Sequence, residues 1–330
     1  MSDQLSSQLT GPAIFIMGPT ASGKSALALT LAQHFPLEIV NADAMQVYRG
    51  LDIGTAKPTP VEQASVLHHL LDLVTPDQHF SVGHYRRLAL ETIDSCRKRG
   101  VIPLFVGGSG LYLRALEQGL SPIPPIDETT LQEQLQREGE AVGWPKMHQK
   151  LAAIDPQWAA RVMPNDRQRI VRGLSVYQAT GLSLSYWHQQ TRITAQNQLK
   201  PVLKIILSWD RAVLYQRIEQ RFDHMMDHGL LDEVTQLWQH DYPRDLPAMK
   251  AVGYRQLLSY LDGNISSLDE AISLAKQESR RYAKRQLTWL RHDHSDNPSF
   301  TMTYDQNCER TAVHLINDFL ENGPVGNPLR

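Results

Sequence analysis

Ala13-Ile14-Phe15-Ile16-Met17 leads directly into Gly18-Pro19-Thr20-Ala21-Ser22-Gly23-Lys24-Ser25, and this stretch decides the fold. An apolar, β-prone run gives way to a loop that has one glycine at its start and another near its end. The chain then continues as Ala26–Ala32, which is rich in strong helix formers. A strand, this loop and a helix in that order form the context in which G-x-x-x-x-G-K-[ST] predicts a phosphate-binding P-loop.

The residue types in this loop suit phosphate chemistry. Its glycines allow a tight curl in which successive N–H groups point at phosphate oxygens. The helix that begins near Lys24 adds the positive end of its dipole, and Lys24 itself adds a full charge. The hydroxyl of Ser25 is placed to ligate Mg²⁺. We therefore predict that the loop binds a di- or triphosphate together with Mg²⁺.

The composition is that of an ordinary globular protein and excludes several classes. The 330 residues are 42% hydrophobic and 21% charged, and no segment is apolar enough to cross a bilayer. Cys96 and Cys308 lie far apart and form no C-x-x-C, so we expect neither a disulfide framework nor a structural zinc site. Met1 to Gly11 is polar and lacks a signal-peptide design. We therefore expect a cytoplasmic protein without a membrane partner.

Two further candidate strands end in polar or glycine-rich residues. Leu37–Val40 leads to Asp43, and Val101–Val106 leads to Gly107-Gly108-Ser109-Gly110. In an open parallel sheet, functional groups collect at the carboxyl ends of the strands. We therefore predict an α/β fold, a P-loop NTPase-like parallel sheet flanked by helices as in nucleotide kinases, with Asp43 and Ser109 near the P-loop.

The character of the chain changes at a proline-dense stretch, Ser121–Pro125, and the following residues are polar and helical. Pro164-Asn165-Asp166 is a strong helix start. The helix that it opens carries Arg167 to Arg172 with no compensating acid between them, which favours an anion-facing surface. The predicted organisation has four parts: a first core segment (1–121), a helical insertion (122–200), a second core segment (201–294) and a tail packed on the core (295–330).

The second core segment contains two helices of interest. Arg217 and Arg221 share a face of the first. In the second, four basic residues adjoin a stripe of Tyr282, Gln286 and Trp289, and these basic residues are Arg280, Arg281, Lys284 and Arg285. Although the formal net charge is only −2, RNA binding needs no more than a local basic surface. The pattern fits an RNA-binding face, or equally a packed aromatic stripe flanked by cations.

Together these residues describe transfer chemistry on a Mg²⁺-bound polyphosphate, with Asp43 as candidate base and arginines that neutralise the leaving group. Three functions stay open at this point. The first is an RNA-directed transferase, and the second is a small-molecule or nucleotide kinase. The third is a non-catalytic, phosphate-dependent RNA-binding protein. A clear apolar run that ends in a Walker B Asp is missing, which argues against a plain kinase.

From Gly18 to about Arg291 the chain resembles the bacterial tRNA dimethylallyltransferases, also called tRNA isopentenyltransferases. The resemblance is carried in order by GPTASGKS, the D-x-x-x-x-Y of Asp43 to Tyr48, IGTAKP, LFVGGSGLYLRAL, PNDRQRIVR, RIEQRF, AVGYRQ and YAKRQLTWLR. It implies that the dimethylallyl group of dimethylallyl diphosphate passes to N6 of adenosine 37, beside the anticodon. The tRNAs concerned read codons that begin with U. It also implies that the helical insertion clamps tRNA, and we expect a monomer.

The resemblance assigns roles to individual residues. Asp43 would be the general base, Arg221 would clamp the leaving group, and Ser109 would lie where the flipped adenine meets the prenyl donor. Thr20 to Ser25 would cradle the diphosphate, with Ser25 towards Mg²⁺. The residues expected to contact tRNA are Asp43, Ala44, Met45, Gln46, Ser109, Gln168, Arg169, Ile170, Val171, Arg172, Ala251, Val252, Gly253, Tyr254, Arg255, Gln256, Lys284, Arg285, Gln286, Leu287, Thr288, Trp289, Leu290 and Arg291.

Three residues depart from the usual family pattern. Ser25 stands where Thr is common, Ala44 replaces a frequent Ser, and Ser109 stands where Thr is usual. The first and third changes keep a hydroxyl, whereas the second removes one beside the candidate base. None of them alters Asp43 or Lys24.

Overall fold

The computed structural model describes residues 10–124, 128–193, 199–292 and 297–323. The prediction for Met1 to Gly11 therefore lies almost wholly outside the described residues, as does the predicted boundary at 294/295. Within the described part of the chain, no helix is long and apolar enough to cross a membrane.

A six-stranded parallel sheet forms the centre of the fold, with strand order β3-β2-β4-β1-β5-β6. The strands are β1 (Thr10–Met17), β2 (Leu37–Asn41), β3 (His68–His69), β4 (Ile102–Gly107), β5 (Lys200–Ser208) and β6 (Ser299–Thr303). This arrangement confirms the predicted α/β class. Because β1, β2 and β4 lie side by side, the segments that follow them meet at one edge of the sheet.

The sequence of β1 explains its central place. Residues 13–17 are at most 1% exposed, since β4 and β5 cover both edges of the strand and helices cover both faces. Phe15 packs with Tyr85 and Ile93 in one core cluster, while Ile14 and Ile16 pack in a second cluster on the opposite face. A nearly continuous apolar run is what a parallel strand buried on both faces requires.

Fourteen helices surround or extend the sheet in the described residues. They are α1 (Lys24–His34), α2 (Pro60–Ser65), α3 (Val82–Lys98), α4 (Gly110–Gln118), α5 (Glu128–Val142), α6 (Trp144–Ile154), α7 (Pro156–Ala159), α8 (Arg167–Thr180), α9 (Leu184–Ile193), α10 (Arg211–Asp227), α11 (Leu230–Gln239), α12 (Tyr254–Leu261), α13 (Leu268–Arg291) and α14 (Cys308–Asn322). The predicted tail contains β6 and α14.

The chain divides into two compact units, Met1–Glu117 with Leu199–Arg330 and, between them in sequence, Gln118–Gln198. The second unit is helical and has its own core, in which Trp144, Met147 and Leu151 pack with Ile170. Its helix α8 begins as predicted, because the Asp166 side chain accepts a hydrogen bond from the N–H of Arg169. The predicted role of this unit in clamping tRNA stays a prediction.

A buried ion pair joins separate parts of the sheet-containing unit. The Nζ atom of Lys204 on β5 lies 2.6 Å from Oε2 of Glu117 on α4. The side chains of Lys204 and Glu117 are 1% and 4% exposed. The Asn297 side chain, just before β6, donates a hydrogen bond to the other oxygen of Glu117. The pair therefore connects β5, α4 and the start of β6.

Breaking this pair should destabilise the protein strongly. Lys204→Met leaves the Glu117 carboxylate buried without its cation, and we expect a loss of about 3–5 kcal/mol in the free energy of unfolding. Urea denaturation followed by tryptophan fluorescence measures it. The double variant Lys204→Met/Glu117→Leu should recover more than half of that loss, because the buried carboxylate is removed together with its cation. Equal losses in the single and double variants would contradict this account.

Candidate active site

A pocket at the carboxyl end of the strands brings together residues from several segments of the sheet-containing unit. The P-loop after β1, the segment after β2, the end of β4 and helix α10 all contribute. The residues that line it are Thr20, Lys24, Ser25, Ala28, Ile39, Asn41, Asp43, Gln46, Thr55, Ala56, Pro58, His68, Leu71, Val106, Gly107, Arg221 and Gln286. Three groups predicted from sequence, the P-loop, Asp43 and Arg221, therefore share one cavity.

The P-loop is tied from its outer side by side chains of the second core segment. Arg217 donates a hydrogen bond from Nε to the carbonyl of Ala21 at 3.0 Å, and Trp209 donates from Nε1 to the carbonyl of Ser22 at 3.0 Å. The guanidinium of Arg217 also lies 4.3 Å from the ring centre of Trp209. These contacts hold two carbonyl oxygens away from the pocket, which suits a loop that presents N–H groups to an anion.

Two cations lie against the inner side of the same loop. The Lys24 ammonium donates to the carbonyl of Pro19 at 2.7 Å, and the Arg221 guanidinium donates to the Thr20 hydroxyl. Removal from water and the charge of Arg221 lower the pKa of Lys24 to about 8, against a smaller raising effect of Asp43. Removal from water also lowers the pKa of Arg221. Two poorly hydrated, mutually repelling cations make this a site for an anion.

Asp43 is held in a turn between the strand ends. Its N–H donates to the Asn41 side chain at 2.8 Å, and its own Oδ1 accepts the N–H of Met45 at 2.8 Å. Ser109 accepts the N–H of Ala44 at 3.0 Å, which joins the segment after β2 to the segment after β4. The structure therefore brings Asp43 and Ser109 together, as predicted from the order of the strands.

Helix α13 presents two different faces. On its inner face, Gln286 contacts the P-loop and Gly108, and Trp289 packs so closely on Gly110 that a Cβ there would lie 2.2 Å from the indole. Tyr282 bonds to Ser109 and Gln286, and burial, aided by the charge of Asp43, raises its pKa. The stripe is therefore packed. The outer face exposes the basic and polar residues Arg281, Lys284, Arg285, Thr288 and Arg291.

Burial narrows the set of residues available to RNA. In the Ala251–Gln256 segment only Arg255 is exposed and Val252 is half-buried, whereas Tyr254 is 0% and Gln256 7% exposed. Tyr254 and Gln256 are therefore buried in this structure, and the tRNA contacts predicted for them stay predictions. The Tyr254 hydroxyl instead donates to Glu233, and the Gln256 side chain accepts the N–H of Gly253.

Burial also limits which residues of the Gln168–Arg172 segment are accessible to RNA. Ile170 and Val171 are 0% and 4% exposed and belong to the core of the helical unit, and the tRNA contacts predicted for them stay predictions. Gln168 and Arg169 are exposed, and Arg169 forms an ion pair with Asp166. Asp166 precedes the arginines at the start of the helix, so it was not among the residues considered as compensating acids between them.

Sequence reasoning also missed the residues that shape the IGTAKP loop on one side of the pocket. Glu233 on α11 accepts N–H groups of Asp52, Ile53 and Gly54 at 2.7–3.2 Å. Lys57, only 3% exposed at its side chain, lies 2.5 Å from Asp52 and 2.6 Å from Asp72. A lysine is seldom buried without a partner, but the sequence does not indicate that Lys57 is buried.

His68 and His69 are both hydrogen-bonded to other groups of the protein. His69 lies 2.7 Å from Glu38, and His68 bonds to the carbonyl of Val66 at 2.8 Å. Glu38, His69 and Cys96 do place three possible metal ligands within 4.8 Å of one another. The Arg99 guanidinium, however, binds both oxygens of Glu38. Hydrogen bonds and this cation thus account for the cluster.

Comparisons with known proteins show which family the chain resembles. A family model described as IPP transferase matches residues 46–293. A tRNA dimethylallyltransferase of Magnetococcus marinus is 49% identical over 306 residues, which cover 92% of this chain and 98% of that protein. One from Geobacter sulfurreducens is 46% identical, with 85% of this chain and 89% of that protein covered.

Solved structures give the same result. The tRNA isopentenylpyrophosphate transferase of Bacillus halodurans is 35% identical with a TM-score of 0.65, covering 95% of this chain and 97% of that one. A eukaryotic dimethylallyltransferase, captured acting on tRNA, is 27% identical with a TM-score of 0.77, covering 97% of this chain and 82% of that one.

The buried ammonium of Lys24 should make stability depend on pH in a defined direction. The unfolded chain binds more protons than the folded one between pH 8 and the ordinary lysine pKa of about 10.4, so the free energy of unfolding rises with pH in that window. Lys24→Met lacks this contribution. Between pH 7 and pH 10 the free energy of unfolding of wild type should therefore rise by about 2 kcal/mol relative to that of Lys24→Met. Urea denaturation at several pH values measures the difference.

The control is Lys24→Arg, which stays charged throughout and should lose stability relative to wild type as the pH rises. A wild-type-to-methionine difference that is constant from pH 7 to pH 10 would show that the Lys24 ammonium carries no penalty in the folded state.

Proposed function

The chain belongs to the IPP transferase family, and we propose that it is a tRNA dimethylallyltransferase. The donor is dimethylallyl diphosphate, the acceptor is N6 of adenosine 37 in tRNAs that read codons beginning with U, and the products are N6-(dimethylallyl)adenosine and diphosphate. The observation that carries this proposal is the single pocket in which a cationic P-loop and Arg221 stand beside Asp43. One end of the pocket suits a diphosphate leaving group, and the other suits removal of a proton.

The diphosphate end draws its support from charge. In the proposed reaction the bond between the allylic carbon and the diphosphate oxygen breaks while carbon develops cationic character, so negative charge accumulates on diphosphate. Lys24, Arg221 and the N–H groups of Thr20 to Ser25 would stabilise that charge. Ser25 is exposed and lines the same pocket, and its hydroxyl is a hard oxygen donor that fits Mg²⁺. Bound Mg²⁺ would neutralise further charge on the diphosphate.

The acceptor end would work through Asp43. As N6 of the adenine forms its bond to the allylic carbon, its proton becomes acidic and passes to the Asp43 carboxylate. The turn hydrogen bond from Met45 fixes the orientation of that carboxylate. An adenine inside a stacked loop has no access to the pocket, so the base must flip out, with Ser109 beside its path.

The exposed face of α13 is the proposed site for the tRNA anticodon stem-loop in this unit. Lys284, Arg285, Thr288 and Arg291 are exposed on a helix whose other face touches the pocket. Gln168, Arg169 and Arg172 are the proposed contacts of the helical unit. We propose that the protein acts as a monomer in the cytoplasm. The alternative of a kinase is not favoured, because the matching relatives quoted above are all prenyltransferases named for tRNA.

The reaction and its base are tested together. With Mg²⁺, labelled dimethylallyl diphosphate and unmodified tRNA that has A36-A37-A38, wild type should place label on adenosine 37. Asp43→Asn keeps an oxygen for the Met45 N–H but cannot take the proton, so we expect transfer to fall about 10²- to 10⁴-fold while tRNA binding is unchanged. Asp43→Ala should lose as much.

The matched control is Asp77→Asn, an exposed acid in the loop before α3 that should transfer at the wild-type rate. An Asp43→Asn variant with full transfer would exclude Asp43 as the base. If wild type transferred no label but hydrolysed ATP or phosphorylated a small acceptor, the kinase alternative would replace the proposal.

The RNA-binding face is tested by its salt dependence. Removing one phosphate contact lowers the slope of log K against log[salt] by about 0.7 to 0.9, so Lys284→Gln should weaken tRNA binding and flatten that slope. Lys98→Gln is the control, because Lys98 ends α3 just before β4 starts and thus lies at the opposite edge of the sheet. An unchanged slope in Lys284→Gln would show that this face does not contact RNA.

A further inference from the structure

Gln286 is a predicted RNA contact on α13 whose side-chain oxygen and nitrogen both form hydrogen bonds within the protein. Its Oε1 accepts the backbone N–H of Thr20 at 2.8 Å, and its Nε2 donates to the carbonyl of Gly108 at 3.2 Å. The side chain is 7% exposed and lines the pocket. A Cβ on residue 108 would lie 2.1 Å from Nε2 of Gln286, so the close approach of this carboxamide requires glycine at that position.

The Thr20 N–H is an unusual partner for such a side chain. It belongs to the P-loop, whose N–H groups serve to bind phosphate oxygens. The Thr20 hydroxyl, in turn, accepts from Arg221, so this one residue touches both the proposed clamp and Gln286. An anion that takes the Thr20 N–H must displace the Gln286 oxygen, since one N–H makes one good hydrogen bond.

We propose that Gln286 is a positioning residue that pairs with the Thr20 N–H until diphosphate takes its place. While the loop has no ligand, the carboxamide accepts a hydrogen bond from this N–H and keeps it directed into the pocket. Diphosphate binding then exchanges a neutral hydrogen bond for a charge-assisted one. This inference rests on the proposed function in one respect, namely that the anion at the P-loop is a diphosphate.

The exchange has a consequence for the helix. Gln286 lies one residue from Arg285 and two from Lys284, on the helix whose outer face is proposed to bind RNA. Its release therefore removes one hydrogen bond between α13 and the P-loop, while Trp289 still packs on Gly110 and Ala21 still packs in one cluster with Ala283 and Leu287. Occupation of the P-loop is in this way linked to the helix that meets the acceptor.

The experiment measures binding of inorganic pyrophosphate with Mg²⁺ by calorimetry, without RNA. Gln286→Leu keeps the volume but removes the competing oxygen, so pyrophosphate should bind about two- to tenfold more tightly than to wild type, the equivalent of one neutral hydrogen bond. Gln286→Asn, which is too short to span Thr20 and Gly108, should shift affinity in the same direction. Gln277→Leu, the same change at an exposed position of α13, should bind as wild type does.

Unchanged or weaker pyrophosphate binding in both Gln286 variants, with native circular dichroism and melting, would overturn the inference and leave Gln286 a packing residue. The proposed function fails by a different observation, the absence of labelled dimethylallyl on tRNA in the wild-type assay. The two failures are therefore separable, because the pyrophosphate titration uses neither RNA nor the prenyl group.

Discussion

The placement of two cations behind one loop is the constraint on which the rest of the structure depends. The charge of Arg221 disfavours that of Lys24, the charge of Arg217 disfavours that of Arg221, and both Lys24 and Arg221 are shielded from water. Such an arrangement is costly without an anion and is therefore found where an anion must be bound strongly. Asp43 supplies part of the compensation, which places the candidate base within the electrostatic reach of the phosphate site.

The P-loop is encoded early in the chain but is completed by residues that come much later. Trp209 and Arg217 tie its carbonyls from the outside, and Gln286 holds its Thr20 N–H from the inside. Helices α10 and α13, which supply two of these side chains, are joined to each other by ion pairs of Glu219 with Arg280 and Asp223 with Lys276. The P-loop therefore depends on the second core segment, which also supplies most of the fifth strand of the sheet.

Local pattern and one topological rule were enough to predict the centre of the site. An apolar run followed by the glycine-bounded loop identifies β1 and α1, and the convergence of parallel strands at one edge places Asp43 and Ser109 beside them. What could not be predicted was decided by distant partners. Tyr254 and Gln256 are polar residues in a glycine-containing motif, and such residues are usually accessible. Here both are buried, and their polar atoms form hydrogen bonds with Glu233 and with the N–H of Gly253. Lys57 likewise gains its partners from Asp52 and Asp72, which no spacing rule connects to it.

The basic and aromatic pattern of α13 shows why two interpretations of one helix need not compete. Tyr282, Gln286 and Trp289 recur at spacings of four and three residues and so occupy a single face, which the glycine-rich end of β4 receives. The same periodicity turns Lys284, Thr288 and Arg291 away from the core, where they are exposed or nearly so. Packing on one face thus fixes the rotation of the helix, and with it the direction in which the basic residues point. A helix held in this way keeps the proposed RNA-binding charges at a set distance from Asp43, because α13 and the segment of Asp43 both bond to the residues that follow β4.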